Sequence, residues 1–310
     1  MRKSPPQLYL GVDLGGTAMK GAVIGIDGSF LAEQSVRTPV ERGRTGILAA
    51  LKVLIADLLA QSPGAIEGIG IGSAGRIDAG TGTVLYATDN LPGWTGTAVT
   101  AEIAAAFPYP VFTDNDVNVA AIGEGWLGAA EDLTSFAFIA LGTGVGGALV
   151  ADGRLIRGTK GAAGEFGHML VQPGGIPCNC GQRGCLEQYA SGTALNRIAR
   201  AISPDWDSYI FIEAVRGGNA PAIRAMHEFT RTLAAGLVNV HNLFDPPAIL
   251  LGGGLIDSRD VWWSPLESAL QELTPVEISV RPALLGNRAG ILGAARMAMP
   301  AYQLNESTGG

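Results

Sequence analysis

The chain has 310 residues, 47% of them hydrophobic, with 28 acidic against 21 basic side chains and a net charge of −7. That length allows two medium domains whose cores need no disulfides, and the absence of a basic cluster argues against a nucleic-acid surface, which needs concentrated Lys and Arg. Three cysteines, an odd number, do not make a disulfide framework, and a reducing cytoplasm is the expected compartment.

The opening reads as strands. "LYLGVDLG" (8–15) is rich in β-formers, "MKGAVIGI" (19–26) returns, and "DG" turns the chain into "SFLAEQSVRT" (29–38). The few residues before the first strand hold no apolar run, so no signal peptide is expected, nor room for a DNA-binding segment. Residues 45–61 are apolar at helical spacing. A strand ending in glycines (66–75), a helix (98–107), a strand stopping on Asp114, Asn115 and Asp116, and a helix over 117–128 follow.

The pattern then restarts. "FAFIALGTGVGGALVADGRLI" (136–156) echoes residues 8–31: an apolar strand, a Gly/Thr turn, an apolar return, then "DG". This predicts an internal duplication, two domains opening on the same hairpin. Residues 133–151 carry no charge across nineteen positions, but their four glycines predict strand, turn and strand rather than a membrane helix. Helices are expected around 193–203, 208–216, 220–243 and 260–273, with strands at 248–254 and 277–283 and a last helix over 290–299. The expected division is 1–120, joined by a C-terminal helix at about 290–303, against 121–289, with a disordered tail at 304–310.

Three glycine turns end apolar strands: 13–17, 141–147 and 250–254. Such turns let backbone N–H groups approach phosphate oxygens without a Cβ in the way. Gly142, Gly144 and Gly147 match G-x-G-x-x-G, but a strand follows where the dinucleotide fingerprint needs a helix, and no P-loop is present. A phosphate hairpin in each of two duplicated domains points instead to a nucleotide held between them, with Asp13 placed to hold Mg²⁺ through water. At the strand end 114–116, helix capping explains one of the three polar residues. Asp116 as acceptor of a proton from an attacking hydroxyl, with Asn115 on a neighbouring hydroxyl, explains the others.

His168, Cys178, Cys180 and Cys185 form a Cys₃His set over short, glycine-rich loops. That set binds Zn²⁺ tetrahedrally, and four protein ligands leave no open position, so the metal shapes a loop rather than reacts. No Cys-x-x-Cys redox pair is present, and the stretch is too polar for core. Glu165 and Glu187 flank the cluster and would be held rigidly, as bidentate acceptors of sugar hydroxyls require.

"DLGGTAMKG" (13–21), "NDVNVAAIGE" (115–124), "LGTGVGGALVADGRLIRGTKGAAGEFGH" (141–168) and "CNCGQRGCLE" (178–187) together resemble the ROK group of bacterial sugar kinases and repressors, over nearly the whole chain. The resemblance implies an α/β fold of two duplicated actin-like, hexokinase-like (ribonuclease H-like) domains with an interdomain active-site cleft. It implies ATP and Mg²⁺ as cofactors with a structural Zn²⁺, and a sugar and a nucleotide as partners, with neither nucleic acid nor membrane. It makes Asp116 the general base on the sugar 6-hydroxyl and places Asn115, Glu165, His168, Glu187, Asn90 and the Gly75 backbone at the sugar. His168 would serve zinc with one ring nitrogen and sugar with the other. Phosphates and Mg²⁺ fall near Asp13, Gly15, Gly16, Thr17, Lys20, Thr143 and Gly144, and the nucleoside near Gly253 and Gly254.

Within the family, "NLPGW" (90–94) and "LEQYASGTAL" (186–195) are most similar to the glucokinases, and Glu165 stands where N-acetylmannosamine kinases often carry His. The departures are Ala18 where many members have Lys, with Lys20 two positions on, and Val117 and Val119 within the acidic motif. The resemblance therefore implies a glucose 6-kinase. Kinases of mannose, fructose, N-acetylmannosamine or a glucoside, or a sugar-sensing repressor, are the alternatives, and polyphosphate the alternative donor. It also implies a homodimer or a dimer of dimers.

Overall fold

The structure is a computed structural model and describes residues 7–307. Two compact units emerge: Met1–Thr134 with Val150–Ala163 and Asn287–Gly310, and Ser135–Leu149 with Gly164–Gly286.

In the first unit, β1 (Leu8–Leu14), β2 (Ala18–Gly25) and β3 (Phe30–Arg37) form an antiparallel meander. Strand β4 (Ile66–Ser73) pairs parallel to β1, and β7 (Val111–Asn115) parallel to β4. The sheet order is β3-β2-β1-β4-β7. A small hairpin, β5 (Arg76–Asp78) with β6 (Thr83–Tyr86), stands apart from that sheet and was not anticipated from the sequence. Its strands are too short for alternation to show. Helix α1 (Gly43–Gln61) buries Ile47, Leu48, Leu51, Leu54, Ile55 and Leu58, the 3–4 spacing that an amphipathic helix turns to a sheet. Its Lys52 faces outward and pairs with Glu102 of α2 (Val99–Ala104) at 2.9 Å. These side chains and those of β1, β4 and Trp94 make one core.

Helix α3 (Asp116–Leu127) starts where β7 ends and packs against α8 (Ala289–Met297). The contact is backbone to backbone. A Cβ on Gly293 would collide with the Val119 carbonyl, and one on Gly70 with the Ala294 carbonyl. Residue 120, where the boundary is expected, falls inside α3, and the first compact unit runs on to Thr134. Helix α9 (Pro300–Ser307) covers part of the stretch expected to be a disordered tail, with Pro at the first helical position, where its missing N–H costs nothing. Residues 308–310 of that tail, and the segment 1–6 read against a signal peptide, lie outside the described residues.

In the second unit, β8 (Phe136–Leu141) and β9 (Val145–Ala151) are joined by the turn 142–144, and β11 (Ile249–Gly252) pairs parallel to both β8 and β12 (Val280–Pro282). The last two residues of β9 belong to the first unit, where they pair with β10 (Arg154–Leu155). The order β10-β9-β8-β11-β12 repeats the first sheet strand for strand, so the duplication read from the glycine turns is present in the topology. Helices α4 (Gly192–Ile202), α5 (Ser208–Arg216), α6 (Ala220–Phe244) and α7 (Arg259–Leu273) supply Leu195, Phe211, Phe229, Leu237 and Trp262 to a core that also holds Ile139, Ile249 and Leu251. Strand β12 is shorter than the 277–283 stretch expected, running only from Val280 to Pro282. No described helix is long and apolar enough to cross a membrane.

Candidate active site and metal centre

Asp116 is the first residue of α3. Asn115 precedes it as N-cap, its Oδ1 accepting from Val117 N–H (2.9 Å) and Asn118 N–H (3.1 Å). Asn115 Nδ2 donates to the Gly75 carbonyl and to Asp116 Oδ1, both at 2.8 Å. Val117 N–H also reaches Asp116 Oδ1, at 3.0 Å. One carboxylate oxygen of Asp116 is therefore held by protein donors, while Oδ2 meets none among the described residues. Burial, then the negative charge of Asp13, push the Asp116 carboxyl up to about 7, against the hydrogen bonds that favour its ionised form. Asp114 plays a different part. It is 1% exposed, accepts from Asn115 N–H (2.7 Å) and Asn118 Nδ2 (2.9 Å), and pairs with Arg157 at 2.7 Å.

Asp13 lies on β1 directly across from Lys20 on β2. Burial raises its carboxyl above the usual range, and Lys20 opposes this. Gly290, at the start of α8, leaves room for that carboxylate, since a Cβ there would sit 2.9 Å from Asp13 Cγ. Nothing in the sequence flagged Gly290, because its role depends on a helix 277 positions away folding back onto β1. In the first glycine turn, Gly15 N–H is taken by the Ala18 carbonyl (3.0 Å), and Thr38 secures the Gly15 carbonyl (2.7 Å). This leaves Gly16 and Thr17 as the turn's donors. Gly16 also faces Asn90, whose carbonyl would be 3.3 Å from a Cβ at that position.

The second unit holds the other predicted residues. In its glycine turn, Gly142 N–H bonds the Gly144 carbonyl (2.9 Å), leaving the N–H groups of Thr143 and Gly144. The start of α4 braces this turn: Gly192 N–H reaches the Gly142 carbonyl (2.8 Å) and Thr193 Oγ1 the Thr143 carbonyl (2.7 Å). Gly253, at φ +81°, lies against the end of β8, where a Cβ would be 2.5 Å from the Leu141 carbonyl. Gly254 beside it has open space.

The ligand atoms of His168, Cys178, Cys180 and Cys185 all lie within 4.8 Å of one another. Cys180 and Cys185 sulfurs are 3.6 Å apart, and Cys178 Sγ is 3.7 Å from His168 Nδ1. A tetrahedron with Zn–S bonds of about 2.3 Å has edges of about 3.8 Å, so the four residues fit zinc. The loop is shaped for it: Cys178 N–H bonds the Gln182 carbonyl (2.9 Å), and Gly181 and Gly184 take left-handed φ of +90° and +89°. With Nδ1 on the metal side, His168 Nε2 points at Glu165 Oε2, 3.9 Å away. Glu187 is not directed only outward. Its Oε2 accepts from Val145 N–H at 3.0 Å, tying the metal loop to the glycine turn. Gly144 must lack a Cβ for this carboxylate to fit.

The protein-family model described as ROK family matches residues 9–300. The chain belongs to the ROK family. A glucokinase of Halalkalibacterium halodurans is 33% identical over 92% of this chain and 93% of its own. Among solved structures, a ROK hexokinase from Thermus thermophilus superposes with a TM-score of 0.86 at 33% identity, covering 98% of this chain and 100% of that one. A ROK glucokinase from Streptomyces griseus, solved with glucose and AMPPNP, gives 0.81 at 33% identity over 94% of this chain and 98% of its own. The fold of this ROK chain is thus the actin-like sugar-kinase fold, with the duplicated sheets described above.

Proposed function

We propose that this ROK protein transfers the γ-phosphoryl group of ATP to the 6-hydroxyl of glucose, with Asp116 as general base and a zinc ion shaping the sugar-binding loop. The chain is a hexokinase-type kinase; the hexose, the base and the role of zinc are the proposal. One observation carries it. Asp116 presents a free oxygen while its other oxygen is fixed by Asn115 and Val117, and its carboxyl is raised to about 7, near the operating pH where a base is most effective.

In this reading Asp116 Oδ2 takes the proton as the hydroxyl oxygen attacks phosphorus. Glu165 and His168 Nε2 hold sugar hydroxyls, and Glu187 holds the loop and one hydroxyl. Asp13 would hold Mg²⁺ through water, and the ion would supply positive charge to the phosphates. Gly16, Thr17, Thr143 and Gly144 offer backbone N–H groups to phosphate oxygens, and Lys20 a positive charge. Gly253 and Gly254 border the nucleoside. Four protein ligands close the zinc, so the metal's contribution is to fix His168 and its neighbours. The relatives named glucokinase favour glucose over other hexoses.

The test is a coupled ATP-consumption assay with glucose. Wild type should turn over, and Asp116→Ala should lose about a thousandfold or more in kcat, in keeping with loss of a general base on a positioned nucleophile. Turnover by Asp116→Ala at the wild-type rate would remove the base assignment.

A further inference from the structure

Arg76 opens β5, immediately after Gly75. Its Nε is buried and meets no hydrogen-bond acceptor. A buried charged donor left without a partner is costly, so the site is built for an acceptor that the protein does not supply. Arg76 lines a cavity of 600 Å³ in the first unit, with Asp78, Arg157 and Lys160 among the other walls.

The charges there do not cancel. Arg157 is matched by buried Asp114 at 2.7 Å. Asp78 already accepts from Gly80 N–H at 3.0 Å. Lys160 is exposed, and neither it nor Arg76 has an ion-pair partner among the described residues. Two uncompensated cations thus face one carboxylate. The segment 158–161 closes one wall. At Gly161 (φ +62°) a Cβ would be 2.7 Å from the Ile77 carbonyl and 3.6 Å from Arg76 Cγ, so the missing side chain lets this wall lie on the arginine.

We propose that this cavity binds a phosphate dianion, free or carried by a small molecule, between Arg76 and Lys160. A guanidinium and an ammonium with no internal partner suit a doubly charged, many-oxygened group better than a single carboxylate. The volume admits a phosphorylated metabolite. The site bears on the catalytic base through the chain itself: the Gly75 carbonyl, next to Arg76, holds the Asn115 amide that also holds Asp116 Oδ1. An occupant drawing on Arg76 therefore acts on the pair that orients the base.

Calorimetric titration with inorganic phosphate, and separately with glucose 6-phosphate, tests this on the intact protein without relying on turnover. Saturable binding is expected, weakened about tenfold or more by Arg76→Met and about threefold by Lys160→Gln, and unchanged by Glu165→Gln, which weakens glucose 6-phosphate held as product at the proposed sugar site. Lys160 is exposed, so Lys160→Gln decides the matter if Arg76→Met does not fold. Equal affinity for the two ligands would identify free phosphate as the occupant, and tighter glucose 6-phosphate a sugar phosphate; both support the site. No saturable binding, binding untouched by both variants, or binding lost in Glu165→Gln alone would overturn it.

Discussion

Asp116 and Asp13 share one unit and one electrostatic problem. Each is part-buried, and the charge of Asp13 raises Asp116 further. The base must be ionised to accept a proton, so kcat/KM should rise with pH through an inflection near the value of about 7 to which Asp116 is pushed. Asp13→Asn removes the neighbouring negative charge while keeping the shape. Its remaining activity should be lower, for loss of the proposed Mg²⁺ contact, and its inflection should move to lower pH. A pH–rate series on both proteins reads this directly, and an inflection that stayed in place would deny the coupling. Asn115 shows how two readings of one residue coexist: its oxygen caps α3 and its amide holds Asp116 Oδ1, so the capping residue also orients the proposed base.

At the scale of elements, two contacts decide where functional groups stand. The first is α8 on α3 and the sheet, possible only because Gly70, Gly123, Gly290 and Gly293 carry no side chain. Gly293→Ala should cost about 3 kcal/mol, toward the upper end for overpacking, because the obstacle is the Val119 backbone rather than a movable side chain. A denaturant melt would measure it, and a loss under about 0.5 kcal/mol would mean the helices can separate freely. The second is the metal loop. Cys180→Ser should release zinc and raise KM for glucose about tenfold or more, with a smaller effect on kcat, since the loop carries His168 and Glu187. Metal analysis beside steady-state kinetics checks both. Zinc lost with KM unchanged would separate the metal from the sugar site.

Over the whole molecule, the repeated strand order places a glycine turn after the first strand of each sheet, Gly15–Gly16 in one and Gly142–Gly144 in the other. The turn backbones leave matching pairs of N–H groups, Gly16 with Thr17 and Thr143 with Gly144, so the duplication provides two comparable sets of backbone donors from one architecture. The surrounding supports differ. Thr38 steadies the first turn, while Thr193 and Glu187 steady the second.

Local patterns carried much of this. The strand and helix periods, the twin hairpins, the Asn-Asp pair at a strand end and the Cys₃His spacing are written in neighbouring residues, because backbone propensity, capping and chelation act over a few positions. The short β5–β6 hairpin, the extent of the first unit, Gly290 beneath Asp13, Glu187 on Val145 and the unmatched Arg76 were decided by tertiary structure alone. Each depends on segments far apart in the chain meeting at van der Waals or hydrogen-bond distance. Burial and charge, which raise Asp116 to about 7, likewise exist only once those segments have met.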